Sequence, residues 1–463
     1  MTLSPPPPIV QKPVRSIDAT PFRGHWLLGC VRELRGNYLD LYEAAWRAKG
    51  DYIRIRALPG YYVNMLAHPD AVEHILQKNS RNYRKPDLFN NPVRELFGDG
   101  LVVSEGDFWR SQRKLIQPAF SRQHMTRFSA VISDGTQSLI RQWSQRDHSE
   151  PVDILPEMMR LTLGIASMAL LSHDISDASD QLGKTFRAAF AHVSRRMNAM
   201  IKLPRWIPTP DNRDFNRVKE VLHTTVRKIV EQRRRETNRP DDMLSTFLAA
   251  QDDQTRIGMT DDQLVHEVLT MLTASHDTVG AALSWTWYLL AQHPQVQETL
   301  DDELKSHLGD RPPTAADLPE LPFARAVFEE AMRLFPPAPA VMREAIADDE
   351  INGFRIKKRS LVVACQYLIH RHPDFWDEPQ RFNPERFISP DAIAKRPKLA
   401  CFPFGAGPRV CVGQTFAMIE GPLILATIAQ RFQMKLVPGQ TILPDTTFTL
   451  RPKPGVNVFL QPR

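Results

Sequence analysis

A chain of 463 residues, 42% hydrophobic and 24% charged, has the balance of a soluble globular protein and a core large enough to enclose a bound group. Its four cysteines, Cys30, Cys365, Cys401 and Cys411, are too few and too scattered for a disulfide framework, and none forms the C-x-x-C pair of a structural zinc site. The net charge of +6 comes with no nucleic-acid module, which argues against nucleic acid and for an acidic protein partner.

Residues 1–20 read as a flexible proline-rich arm, with Pro5 to Pro8 favouring polyproline II over a packed element. Neither this start nor the apolar run over 422–429 approaches the ~20 residues that span a bilayer. No signal-peptide pattern is present either. The expectation is a cytoplasmic protein without a transmembrane anchor. Residues 21–463 read as one large unit, mainly α with a minor β component, without internal repeat or linker. Short strands are predicted over 54–64 around Pro59-Gly60, helices over most of 70–292, and a mixture after 346.

In the helical stretch, Trp109 and Arg113 stand four residues apart and share one helical face. Alone they describe an amphipathic helix with a half-buried tryptophan. Arg233-Arg234-Arg235 reads as a solvated helix face. The dominant helix starts at a capping box, Thr260 with Gln263, and stops at Pro294, a span of roughly 50 Å at 1.5 Å per residue. Its middle, 269–283, carries one charge, Asp277, so the helix must run through the body of the protein.

On that helix Ala274, Asp277, Thr278 and Ala281 follow i, i+3, i+4, i+7 and share a face, whose alanines leave room for a flat group and a small ligand. A hydroxyl beside an acid in so apolar a helix is costly unless it serves a purpose. The alternative is a threonine bonded to the preceding turn's carbonyl and an aspartate in an ordinary ion pair. Farther on, Glu330 and Arg333 lie three apart on a helix predicted from about residue 323, which alone would be a surface ion pair of little worth.

The strongest signal is Phe404-Gly405-Ala406-Gly407-Pro408-Arg409-Val410-Cys411-Val412-Gly413. Gly405 and Gly407 permit a tight loop whose backbone can approach a planar ligand. Cys411 then falls at the start of a helical stretch predicted over 412–432, where the helix terminus lowers a thiol's pKa. Arg409, two residues before Cys411, can reach an anionic group of such a ligand.

This decapeptide matches the haem-binding loop of cytochrome P450 enzymes at every defining position, and Phe382-Asn383-Pro384-Glu385-Arg386-Phe387 resembles the family's second arginine motif. With Glu330 and Arg333 upstream, the chain resembles the family from about residue 22 to residue 463. The resemblance implies the cytochrome P450 fold, a single large helix-rich domain with small β-sheets. It implies haem b ligated by Cys411, with Phe404, Gly405, Arg409 and Gly413 in its loop. It also implies Trp109, Arg113 and Arg343 at the propionates and Ala274 beside the ring. Glu330, Arg333 and Arg386 are implied as a buried network holding the cysteine loop.

Thr278 and Asp277 are implied in proton delivery to bound oxygen. The family pattern is Ala-Gly-x-Asp/Glu-Thr-Thr/Ser, and here Ser275 replaces the glycine and Val279 the second hydroxyl residue. Ser275 adds a side chain where the helix usually opens, and is expected to tune the pocket rather than deliver the proton.

The implied activity is that of a haem-thiolate monooxygenase inserting one atom of O2 into a terpene, fatty acid, steroid or polyketide-like molecule. No flavin or iron–sulfur module is recognisable in the sequence. Electrons are therefore expected from a ferredoxin and its reductase, with Arg110, Lys114, Lys395 and Lys398 as candidates for the docking face of a monomer. Substrate contacts are implied in 84–103, 197–210, 269–279, 338–341 and 445–448, where Phe89, Phe97, Trp206, Ala274, Val341 and Phe448 make the lining apolar. The alternatives are a peroxide-dependent enzyme of the same family and a non-catalytic haem sensor.

Overall fold

In a computed structural model of the chain, the described residues are 22, 24–25, 29–58, 60–121, 127–177, 181–198, 204–252 and 255–463. The expected arm over 1–20 lies outside them, as does the side chain of Phe89. The chain forms two compact units that interleave along the sequence. Among the described residues, one comprises those within Met1–Pro86, Ala326–Cys411 and Leu436–Gly455, the other those within Asp87–Arg325, Val412–Lys435 and Val456–Arg463.

The first unit is organised by a five-stranded sheet of β1 (Tyr52–Leu58), β2 (Tyr61–Leu66), β3 (Tyr83–Arg84), β4 (Val341–Ala345) and β5 (Leu361–Ala364), in the order β1-β2-β5-β4-β3. In β1 the buried Ile53, Ile55 and Ala57 alternate with Arg54 and Arg56, as a half-covered strand requires. β5 is central and buried at every position, and its Leu-Val-Val-Ala sequence suits a strand covered on both faces. It runs parallel to β2, pairing Val63 with Leu361, and antiparallel to β4, pairing Val341 with Ala364.

The second unit is built around the Asp261–Gln292 helix. Its capping box is formed: Gln263 N–H donates to Thr260 Oγ1 at 3.2 Å, and Thr260 N–H donates to Gln263 Oε1 at 2.8 Å. It packs along Ile154–Leu171, and Thr162 Oγ1 reaches the His276 carbonyl at 2.8 Å. Pro210–Arg235 and Gln414–Ala429 pack on other sides. Ile154–Leu171 is long and apolar enough to cross a bilayer, yet 67% of it is buried inside the protein. The helical content and the several small sheets make the chain mainly α with a minor β component.

Candidate active site

Cys411 ends a loop that its own backbone closes. Gly405 N–H donates to Phe402 O at 2.8 Å, Val410 N–H to Gly407 O at 3.0 Å, and Cys411 N–H to Phe404 O at 2.9 Å. Gly405 and Gly407 sit at φ +73° and +72°, and a Cβ on Gly407 would lie 1.8 Å from the Leu76 carbonyl oxygen, so only glycine fits there. The following helix begins at Gln414 rather than at 412, because Gly413, a poor helix former, takes the cap. It also stops at Ala429, and Phe432 already belongs to a strand.

Among the cysteines, Cys411 is exposed, whereas Cys30 and Cys365 are buried. Burial pushes the thiols of Cys365 and Cys401 up to about 12 and raises that of Cys30, so these three stay protonated. An exposed thiol at the tip of a closed loop fits a group that binds through sulfur.

Behind the loop, Glu330 and Arg333 are both 0% exposed. Arg333 uses all five of its N–H groups. Nε donates to Glu330 Oε2 at 2.6 Å, and the Nη atoms donate to Glu330 Oε1 at 2.7 Å, His370 O at 2.7 Å, Pro379 O at 2.8 Å and Arg381 O at 3.1 Å. Glu330 Oε1 also accepts Asn383 N–H at 2.9 Å. Arg386 joins more loosely, its Nε 3.5 Å from Glu330 and its Nη2 donating to the Glu378 carbonyl at 3.0 Å.

Two residues that sequence reasoning missed connect this network to the loop. His370 Nε2 accepts Phe402 N–H at 2.9 Å and its Nδ1 lies 3.3 Å from the Arg333 carbonyl, while Gln366 donates to the Phe402 carbonyl. Burial, with Arg333 and Arg371 nearby, holds the His370 imidazole down at about 3, so it stays neutral and can accept. The signal in the sequence is a histidine and an amide in the otherwise apolar start of 366–370.

On the long helix, the residues between 267 and 290 are buried except Ala274, Ser275 and Thr278, which form one accessible strip. Asp277 and Ala281, expected on the same face, are instead 0% exposed, because they turn toward the packed side. Ser275 thus shares the strip with Thr278, three residues on. Both hydroxyls donate to carbonyls one turn back, Ser275 to Met271 at 2.6 Å and Thr278 to Ala274 at 2.8 Å. For Thr278 that is the ordinary back-bond of a helical threonine.

The remaining expected residues are spread over both units. Trp109 is buried on the Gly106–Ile116 helix with Arg113 half-buried one turn on, donating to Gln117 at 3.1 Å. In the other unit, Arg409 and Arg343 are half-buried, and Arg343 donates to the Met342 carbonyl at 2.8 Å. Phe404, Val341 and Phe448 are half-buried there as well. Phe97 is fully buried, 6.2 Å from Phe186 between ring centroids, and Trp206 is 81% exposed.

The family model described as cytochrome P450 matches residues 20–459. Cyclooctat-9-en-7-ol 5-monooxygenase of Streptomyces melanosporofaciens is 32% identical, over 92% of this chain and 90% of its own. Cyclooctatin synthase of the same organism is 30% identical over 96% and 94%. Pentalenene oxygenase of Streptomyces avermitilis is 30% identical over 87% and 88%. A match spanning nearly the whole chain, together with monooxygenase relatives matched over about nine-tenths of their own length, identifies it as a monooxygenase belonging to the cytochrome P450 family.

Proposed function

We propose that the chain uses haem b held by Cys411 to insert one atom of O2 into a lipophilic molecule of terpene type, with electrons from a separate redox protein. The observation that carries this reading is the exposed Cys411 thiol on its closed loop, in a chain whose other thiols burial keeps protonated. The terpene class rests on the relatives, whose names carry cyclooctat-9-en-7-ol, cyclooctatin and pentalenene.

When bound, haem with a thiolate ligand supplies oxygen activation, the sulfur donating the electron density that favours O–O cleavage. Cys411 would hold the iron through its sulfur, with Phe404, Gly405 and Gly413 in the same stretch of chain around it. Arg409, Arg343, Arg113 and Trp109 would hold its carboxylates. Ala274 leaves space through its small side chain, and the half-buried Val341 and Phe448 would contribute apolar contacts to the substrate, whereas Phe97 is closed off against Phe186. A hydroxyl has one donor and two acceptor positions. With its proton engaged by Ala274 O, Thr278 would hold a water through its lone pairs, and Asp277 would return protons as general acid on turning out of the packed side where it is buried.

Electrons would come from a ferredoxin and its reductase. Of the proposed docking residues, Lys395 and Lys398 are exposed, while Arg110 pairs with Asp107 and Lys114 with Asp252 at 2.9 Å.

The reduced, carbon-monoxide-bound protein tests the ligand. It is expected to show the thiolate-type band that gives the family its name, and Cys411→His to move it. If Cys365→Ser or Cys401→Ser moved the band and Cys411→His did not, the assignment is wrong. NADPH-dependent hydroxylation of a terpene panel with surrogate redox partners tests the activity against peroxide use and against a passive haem carrier.

A further inference from the structure

The segment after the Asp87–Phe97 helix is tied to the long helix by two side chains that can titrate. Asp99 N–H donates to Nδ1 of His266 at 3.3 Å, and Leu101 N–H donates to Oε2 of the fully buried Glu267 at 3.1 Å. The approach is close enough to demand glycine. A Cβ on Gly98, at φ +79°, would lie 2.1 Å from the His266 ring, and one on Gly100 would lie 1.9 Å from Thr270 Oγ1. From the other side Arg94 holds the Asp99 carboxylate at 2.6 Å and the Val103 carbonyl at 2.8 Å, while Gln112 donates to the Asp99 carbonyl at 3.0 Å.

A neutral imidazole has one nitrogen that accepts and one that donates. Here Nδ1 accepts, so the ring proton is on Nε2. A protonated ring donates from both nitrogens, and its Nδ1–H would face the Asp99 N–H. That bond cannot survive protonation. The charges around the ring are of both signs: Asp262 and Glu267 on its own helix, Asp99 from the segment with Arg94 beyond it, and Lys219, Arg227 and His223 from Pro210–Arg235. The His223 ring meets it edge-on at 5.8 Å, and Arg227 already occupies Asp262 at 2.5 Å.

We propose that His266, together with Glu267, is a positioning residue that holds residues 98–101 against the long helix, and that protonation of its imidazole frees this segment. Burial keeps the ring below the usual imidazole range, so the tie is made near neutral pH and lost as pH falls through that lowered value. The consequence for substrate rests on the reading that 84–103 borders the substrate. On that reading, binding weakens on the acid side while the haem ligation is untouched.

Hydrogen exchange of the haem-loaded protein, corrected for intrinsic rates, tests the tie at about pH 5 and about pH 8. Peptides covering 98–103 are expected to lose protection by about three- to tenfold at the acid end, the equivalent of one net hydrogen bond. His266→Gln, which can accept without titrating, is expected to abolish this pH response, and His223→Gln to preserve it. A flat response in the natural chain, or a response that persists in His266→Gln or vanishes in His223→Gln, overturns the proposal. The affinity of a terpene read from the haem spin-state shift is measured alongside. If exchange responds as expected and affinity does not, the tie stands and the assignment of 84–103 to the substrate falls. The carbon monoxide band reports separately on the haem reading.

Discussion

A hydroxyl has one proton to give, and both hydroxyls on the accessible strip of the long helix give theirs to the helix itself. Thr278 can therefore organise a proton donor without being one. Thr278→Ala is expected to bind haem and substrate and to accept electrons, but to release peroxide or superoxide in place of product. Loss of a positioned proton costs on the order of 10²–10⁴ in rate, read as product formed per NADPH consumed. Thr278→Ser restores the acceptor and is expected to recover coupling, and Ser275→Gly to keep most of it. If Ser275→Gly uncouples the enzyme and Thr278→Ala does not, the roles are exchanged. The acid–alcohol pair was legible in the sequence because an acid and a hydroxyl are conspicuous in an apolar run. Which of its residues faces open space was not, since the i, i+3 spacing from Ala274 puts Asp277 on the edge of the same face and only packing turns it inward.

Between residue and molecule, the helix Pro322–Leu334 and the segments around 370, 379–386 and 402 act as one device. Arg333 donates to the Glu330 carboxylate and to three backbone carbonyls, and His370 passes the constraint to Phe402 at the root of the cysteine loop. Removing one partner of a buried ionic network costs about 3–5 kcal/mol. Arg333→Ala is thus expected to yield little haem-loaded protein, measured as haem absorbance per unit of purified chain. Arg333→Lys fares little better, because an ammonium has three donors where five are used. A fully loaded, stable Arg333→Ala protein would sink this reading. Glu330 and Arg333 could be read from their three-residue spacing together with the later motif. His370 and Gln366 could not, because their partner at 402 lies more than thirty residues away and leaves no local pattern.

At the scale of the whole molecule, the elements that pattern and turn chemistry dictate came out of the sequence: the capped long helix, the hairpin of β1 and β2, the predominance of helix. The interleaving of two compact units did not, since it depends on contacts between segments hundreds of residues apart. Nor did Glu420, although it is the one charged residue in the apolar stretch from 412 to 430.

Glu420 is 1% exposed in the core of the second unit, and neither carboxylate oxygen has a hydrogen-bond partner among the described residues. Burial holds its pKa well above the usual carboxyl range, so folding favours the protonated carboxyl. The sign of its effect on stability follows. In the unfolded chain the carboxyl ionises at its ordinary value, so the native state's advantage is intact below that value and shrinks as pH rises toward the native one. Each unit of separation is worth about 1.4 kcal/mol. Glu420→Gln keeps the shape and removes the titration. Denaturant midpoints of the haem-loaded proteins should coincide near about pH 4.5 and separate progressively toward about pH 8, with the glutamine variant the more stable by at least about 1 kcal/mol. A constant difference across that range would mean that Glu420 does not change its proton occupancy on folding. A variant less stable at the alkaline end would mean that the carboxylate is ionised and held by a partner in the native protein, and the reading of this helix core would have to be replaced.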